Sequence, residues 1–133
     1  MKHCLNCKTL LGGRQRKFCS RKCKNAHNND YYQSYQAQQK RGRERKLQLI
    51  EMKGMECERC GYNKNYAALE FHHPAPKDKE FQLDIRSLSN RRWAAILREV
   101  KSCRLLCSNC HAEEHNPQCT FPAGYRKSGL KKL

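Results

Sequence analysis

Apolar positions are sparse along this chain, and their spacing predicts short elements. The clearest pattern runs from Arg91 to Val100, where Trp93, Ile96, Leu97 and Val100 recur at helical spacing and predict a core helix. Ala67 to Phe71 reads as a short strand with Leu69 and Phe71 on one face. Pro74 and Pro76 cannot donate to a sheet ladder, so pairing should stop near His73. Cys103-Arg104-Leu105-Leu106 predicts a second strand, and Asn109 to His115 a helix ended by Asn116-Pro117. Upstream, Asn28 to Lys53 has no proline and predicts helix, with Tyr31 and Tyr35 sharing one face and Leu47 and Ile50 another. Gln38 to Lys46 shows no apolar face, so that helix should break or weaken at Gly42 and act as a linker, with Gly54 as its stop.

Composition explains how so thin a core could hold. Hydrophobic residues make up 38 % of 133 positions, and the mean hydropathy is -1.03. A chain this small and polar needs a substitute for burial, and metal is the usual one. Ten cysteines supply it. The start, Met1-Lys2-His3-Cys4, does not read as a signal peptide. The longest apolar runs, such as Ala94-Ala95-Ile96-Leu97, are too short to cross a membrane. The thiols are therefore expected in a reducing, intracellular compartment, without disulfide partners and bound to zinc.

Eight of those cysteines fall into four knuckles. Cys4-x2-Cys7 and Cys19-x3-Cys23, joined through Gly12-Gly13, predict an N-terminal Cys4 zinc module. Ser20 is placed to cap a helix with Cys23 in its first turn, and His3 and His27 are possible substitute ligands. Cys57-x2-Cys60 and Cys107-x2-Cys110 predict a second structural zinc site. Cys103 and Cys119 are left over, the former expected to pack as a small hydrophobe.

The formal charge of +16 is unevenly spread. Residues 1–46 carry 13 Lys/Arg against two acids, Asp30 and Glu44, a net of +11. So one-sided a field points to a polyanion, most economically nucleic acid. Arg14, Arg16, Lys17, Arg21, Lys22 and Lys24 lie in or beside the N-terminal module, and Lys40, Arg41, Arg43, Arg45 and Lys46 along the basic helix. All are candidates for phosphate contacts, and binding should weaken steeply with salt. The linker should firm on the nucleic acid. Its tyrosines are expected to pack against the zinc module rather than to stack on bases.

Histidines supply the candidate chemistry. The predicted last helix puts His111 and His115 one turn apart on one face, where two imidazoles can clasp one ion. In a regular strand His72 and His73 point to opposite faces, so one can complete a three-histidine metal face while the other stays free. A free imidazole, with a pKa of ~6.5, can accept a proton from water near neutrality. Three ligands leave positions open for a phosphate oxygen. An isolated His-x3-His arises by chance on surface helices, and His111 could instead replace a cysteine on zinc. The combination within one short unit is what favours a catalytic metal.

Cys57-x2-Cys60-Gly61, Leu69-Glu70-Phe71-His72-His73 and Leu105-Leu106-Cys107-x2-Cys110-His111-x3-His115 together resemble an HNH endonuclease of the type common in bacteriophages. The resemblance covers about residues 55–116. It implies a small metal-stabilised α+β fold of the ββα-metal type. By the same resemblance, His72, His111 and His115 would hold a catalytic divalent ion (Mg2+, Mn2+, Zn2+ or Ni2+). His73 would be the general base in single-metal hydrolysis of a DNA phosphodiester, leaving 5′-phosphate ends. The family's middle Asn corresponds here to Ser102, and Glu70 matches an acidic position in some relatives, with a supporting role at most.

The expected division is an N-terminal Cys4 module (1–30), a basic helical linker (31–53), an HNH nuclease domain (54–116) and a basic, disordered tail (117–133). Double-stranded DNA is the expected partner, in a bacterial or phage-infected cell. A non-catalytic zinc-finger DNA-binding protein derived from the same scaffold is the alternative, with Ser102 in its favour. The charge also accommodates an RNA-directed nuclease.

Overall fold

The computed structural model describes residues 1–125 with Gly129, Lys131 and Leu133. Among these residues it shows a small α+β protein in which five α-helices accompany a two-stranded antiparallel sheet. Helix α1 spans Arg21–Tyr32 and α2 Tyr35–Met52. Strand β1 is Leu69–His72, followed by α3 (Ile85–Asn90) and α4 (Trp93–Lys101). Strand β2, Arg104–Cys107, leads without a break into α5, Ser108–His115. The strands pair with Leu69 opposite Cys107 and His72 opposite Arg104. Of the expected tail, Arg126, Lys127 and Lys132 lie outside the described residues. Among the described residues, no helix is long and apolar enough to cross a membrane.

Local chemistry sets most of the boundaries. Ser20 caps α1 by accepting a hydrogen bond from the Cys23 amide, as its position before a polar helical run suggests. The tyrosines, however, belong to two helices. Ser34 caps α2 through the Ala37 amide, so Tyr31 ends one helix and Tyr35 begins the next. Tyr31, Tyr32 and Tyr35 are all more than half exposed, and Tyr31 stacks on His27 of its own helix. Sheet pairing stops at His72, and the expected start at Ala67 gives way to a 3-10 turn over Tyr66–Ala68.

The largest departure concerns Gly42. Helix α2 runs through it unbroken, and Gly42 is buried. A Cβ there would stand 2.5 Å from the Ile85 carbonyl oxygen, so the missing side chain is what lets α3 lie against α2. Gly42, Lys46, Leu49 and Ile50 form one inward face, whereas Leu47 is 36 % exposed. The segment is thus a packed helix rather than a flexible linker. Gly42→Ala should cost about 2–3 kcal/mol, because the clash is with backbone that cannot rotate away. Urea unfolding monitored by circular dichroism checks this, and an unchanged midpoint would contradict the close approach.

Helix α2 also joins the two cores. Ile50 packs with Cys57, Leu69, Leu105, Leu106, Cys107 and Cys110, while Leu49 packs with Phe81, Leu88, Ile96 and Val100. Phe71 touches both clusters.

Candidate metal centre

Two four-cysteine groups could hold structural zinc: Cys4, Cys7, Cys19 and Cys23, and Cys57, Cys60, Cys107 and Cys110. The first knuckle of each is built alike. The Gly61 amide donates to the Cys57 carbonyl at 2.8 Å, and the Lys8 amide to the Cys4 carbonyl at 3.0 Å. Gly61 takes φ +77 at this turn and Lys8 φ 63, the left-handed conformation that swings the chain back after the second cysteine. Sulfurs stand 3.7 Å apart between Cys60 and Cys107, and 3.5 Å between Cys7 and Cys19 and between Cys19 and Cys23. Two thiolates ~2.3 Å from one tetrahedral zinc lie ~3.8 Å apart, so both donor sets fit that ion.

The sulfurs' electrostatics also suit a cation. Burial works against ionising Cys57, but backbone amides of Cys107, Cys60 and Arg59 outweigh it and bring its thiol down to about 6. Cys110 is pushed upward by burial and by the neighbouring sulfurs of Cys107, Cys60 and Cys57. Four crowded thiols cannot all ionise together unless a positive charge sits among them. His3 and His27 join neither group, and His27 stacks on Tyr31 instead. Cys119 is exposed and also joins neither group.

His72, His111 and His115 form a third group whose ring nitrogens lie within 4.8 Å of one another and could hold a metal ion. Cys107 caps α5 by accepting from the Cys110 amide, and the helix then presents His111 and His115 on one face. Their Nε2 atoms are 3.1 Å apart. Nitrogens ~2.1 Å from one ion at that separation subtend ~95° at it, an acceptable ligand angle. The Glu70 carboxylate accepts from His111 Nδ1 and from the Ser108 hydroxyl (3.2 Å), which leaves His111 Nε2 for the ion. His72 is buried, and its Nδ1 has no hydrogen-bond partner. Burial, then the rings of His111 and His115, hold His72 below the ordinary imidazole value, the direction that favours the neutral ring a ligand needs. Glu70 thus bridges β1 to His111 and Ser108 of α5.

His73 sits apart from this group, as strand alternation requires. It is not free: its buried Nε2 pairs with the Glu99 carboxylate and lies 3.4 Å from Cys103 Sγ. Cys103 is thus more than a packing residue. Sequence reasoning missed Glu99, although a signal was present. With Ile96 and Val100 it lies on the inward stripe of α4, where an acid has no ordinary place. Ser102 donates to the Glu99 carbonyl at 3.0 Å and so closes the last turn of that helix.

A cleft of about 470 Å³ brings these parts together, with Lys46, Glu70, His73, Lys79, His111 and His115 among its lining. Lys46 is half-buried there, and burial lowers its pKa against the opposing pull of Glu70. Two other cations of α2 point elsewhere. Arg41 donates to the carbonyls of Ser89 (2.8 Å) and Tyr32 (3.0 Å). Arg45 donates to those of Leu88 (2.7 Å) and Arg91 (3.0 Å) and covers the Trp93 ring. They satisfy carbonyls at the ends of α1 and α3, a structural use that the sequence did not suggest. Arg14, Arg16, Lys17, Arg21, Lys22, Lys24, Lys40 and Arg43 remain exposed. No protein-family model, curated protein or solved structure matches the chain.

Proposed function

We propose that the protein is a metal-dependent DNA endonuclease of the HNH kind. One observation carries the reading: two members of a three-histidine group, His111 and His115, share a cleft with the separate, carboxylate-bound His73 and a half-buried lysine, while the third member, His72, is buried beside them. A divalent ion held by His72, His111 and His115 would supply Lewis-acid stabilisation of charge building on the phosphate. The chain's own groups do the rest. Exposed cations around the N-terminal cysteine group draw in the polyanion. Lys46 adds positive charge within the cleft, where poor solvation makes it count for more than on the surface. His73 takes the proton from the water that attacks phosphorus. Glu70 keeps His111 in its ligating tautomer.

The test is cleavage of supercoiled plasmid by the zinc-loaded protein across Mg2+, Mn2+, Ni2+ and Zn2+, with a chelator control. Nicked or linear product that appears only with added metal is expected. A protein that shifts the plasmid in a gel but leaves it uncut with each metal would overturn the enzyme in favour of a binding module.

A further inference from the structure

We propose that Glu99 is a positioning residue for His73, fixing hydrogen on Nε2 and leaving Nδ1 as the ring's only lone-pair nitrogen in the cleft. This rests on the nuclease reading, in which His73 is the base. Glu99 is 5 % exposed, an uncommon fate for a carboxylate. The α4 stripe around it is apolar, with Ile96 and Val100 in the same core cluster. Leucine would fill such a place at less cost, since burying a charge costs several kcal/mol unless it is well bonded.

The carboxylate is well bonded, and in a directed way. Its Oε1 accepts from the Glu80 amide at 3.2 Å and faces His73 Nε2. An oxygen that already takes an amide hydrogen is set to accept from the imidazole rather than donate to it. The backbone behind it is held twice, since Ser102 Oγ (3.0 Å) and Cys103 Sγ (3.2 Å) both donate to the Glu99 carbonyl. Burial, then the charge of Glu99, pushes the Cys103 thiol up to about 11, so it remains a donor and brings no second anion to the ring. His73 therefore has one nitrogen bonded inward, and the other remains for a proton from the cleft. A carboxylate that orients a basic imidazole in this manner sets its tautomer as well as its angle.

Long-range proton–nitrogen NMR of the 15N-labelled, zinc-loaded chain reads the tautomer directly. Wild-type His73 should show hydrogen on Nε2 and a bare Nδ1. Glu99→Leu should lose that preference, and turnover on plasmid should fall about 100-fold with KM unchanged. Glu99→Gln, whose amide oxygen can still accept, should recover part of both. Hydrogen on Nδ1 in the wild type, or a tautomer that Glu99→Leu leaves unmoved while turnover falls, would overturn the proposal and make Glu99 a fold residue. A wild type with the expected tautomer that cuts nothing overturns the nuclease reading and supports the Glu99–His73 relation.

Discussion

Removing zinc from the Cys57, Cys60, Cys107 and Cys110 group is expected to unfold the second half of the chain, and Cys107→Ser should do the same. Three of these four cysteines are buried in one cluster with Ile50, Leu69, Leu105 and Leu106. The group ties the turn after α2 to the end of β2 and the start of α5, so it spans most of the site's supports. A structural zinc contributes an apparent ~10–16 kcal/mol to folding, against a total stability of about 5–15 kcal/mol for a small domain. The remaining apolar contacts cannot replace it. Trp93, the only tryptophan, packs against the second cluster and reports on the loss. Its emission and the helical circular dichroism should collapse on chelation and return with zinc. Cys19→Ser, in the N-terminal group, should leave Trp93 emission unchanged, since no member of that group enters either core cluster. Unchanged emission and helicity after metal analysis shows both ions gone would refute the structural role.

What could be read from sequence was what neighbouring residues decide among themselves. The four knuckles announce themselves by spacing, and Ser20 by standing before a helical run. Pairing of β1 ends before Pro74, as a residue that cannot donate to a ladder predicts. The candidate metal ligands were equally legible, because His111 and His115 meet by helical pitch and His72 parts from His73 by strand pleat. What escaped depends on partners far along the chain. Gly42 read as a helix breaker because glycine is one in isolation; against Ile85 it is the surface that permits close packing. Arg41 and Arg45 read as phosphate ligands because a run of cations usually is exposed, yet both reach carbonyls some 45 residues away. The short helix α3 that supplies those carbonyls had no periodic signal to reveal it. Glu99 was concealed by the same helical pattern that made α4 easy to place.

His73→Gln is expected to reduce plasmid cleavage about 10²- to 10⁴-fold, the range for losing a general base, while divalent-ion binding at the three-histidine group stays within about twofold of wild type. His111→Ala should lose both. The distinction follows from placement: His111 stands 3.1 Å from His115 within the metal group, whereas His73 contacts Glu99 and Cys103. Glutamine is the better test than alanine because its amide still offers a hydrogen to Glu99. His73→Ala strands a buried carboxylate and should lower stability by about 3–5 kcal/mol, confusing loss of chemistry with loss of fold. Calorimetric titration with Ni2+, a thermal melt and single-turnover cleavage separate the three quantities. Wild-type cleavage by a well-folded His73→Gln would remove His73 from the chemistry. Of the cleft's carboxylates, Glu70 is bound to His111 and Ser108 and Asp84 accepts from the Ser87 amide as the cap of α3, so each is already engaged.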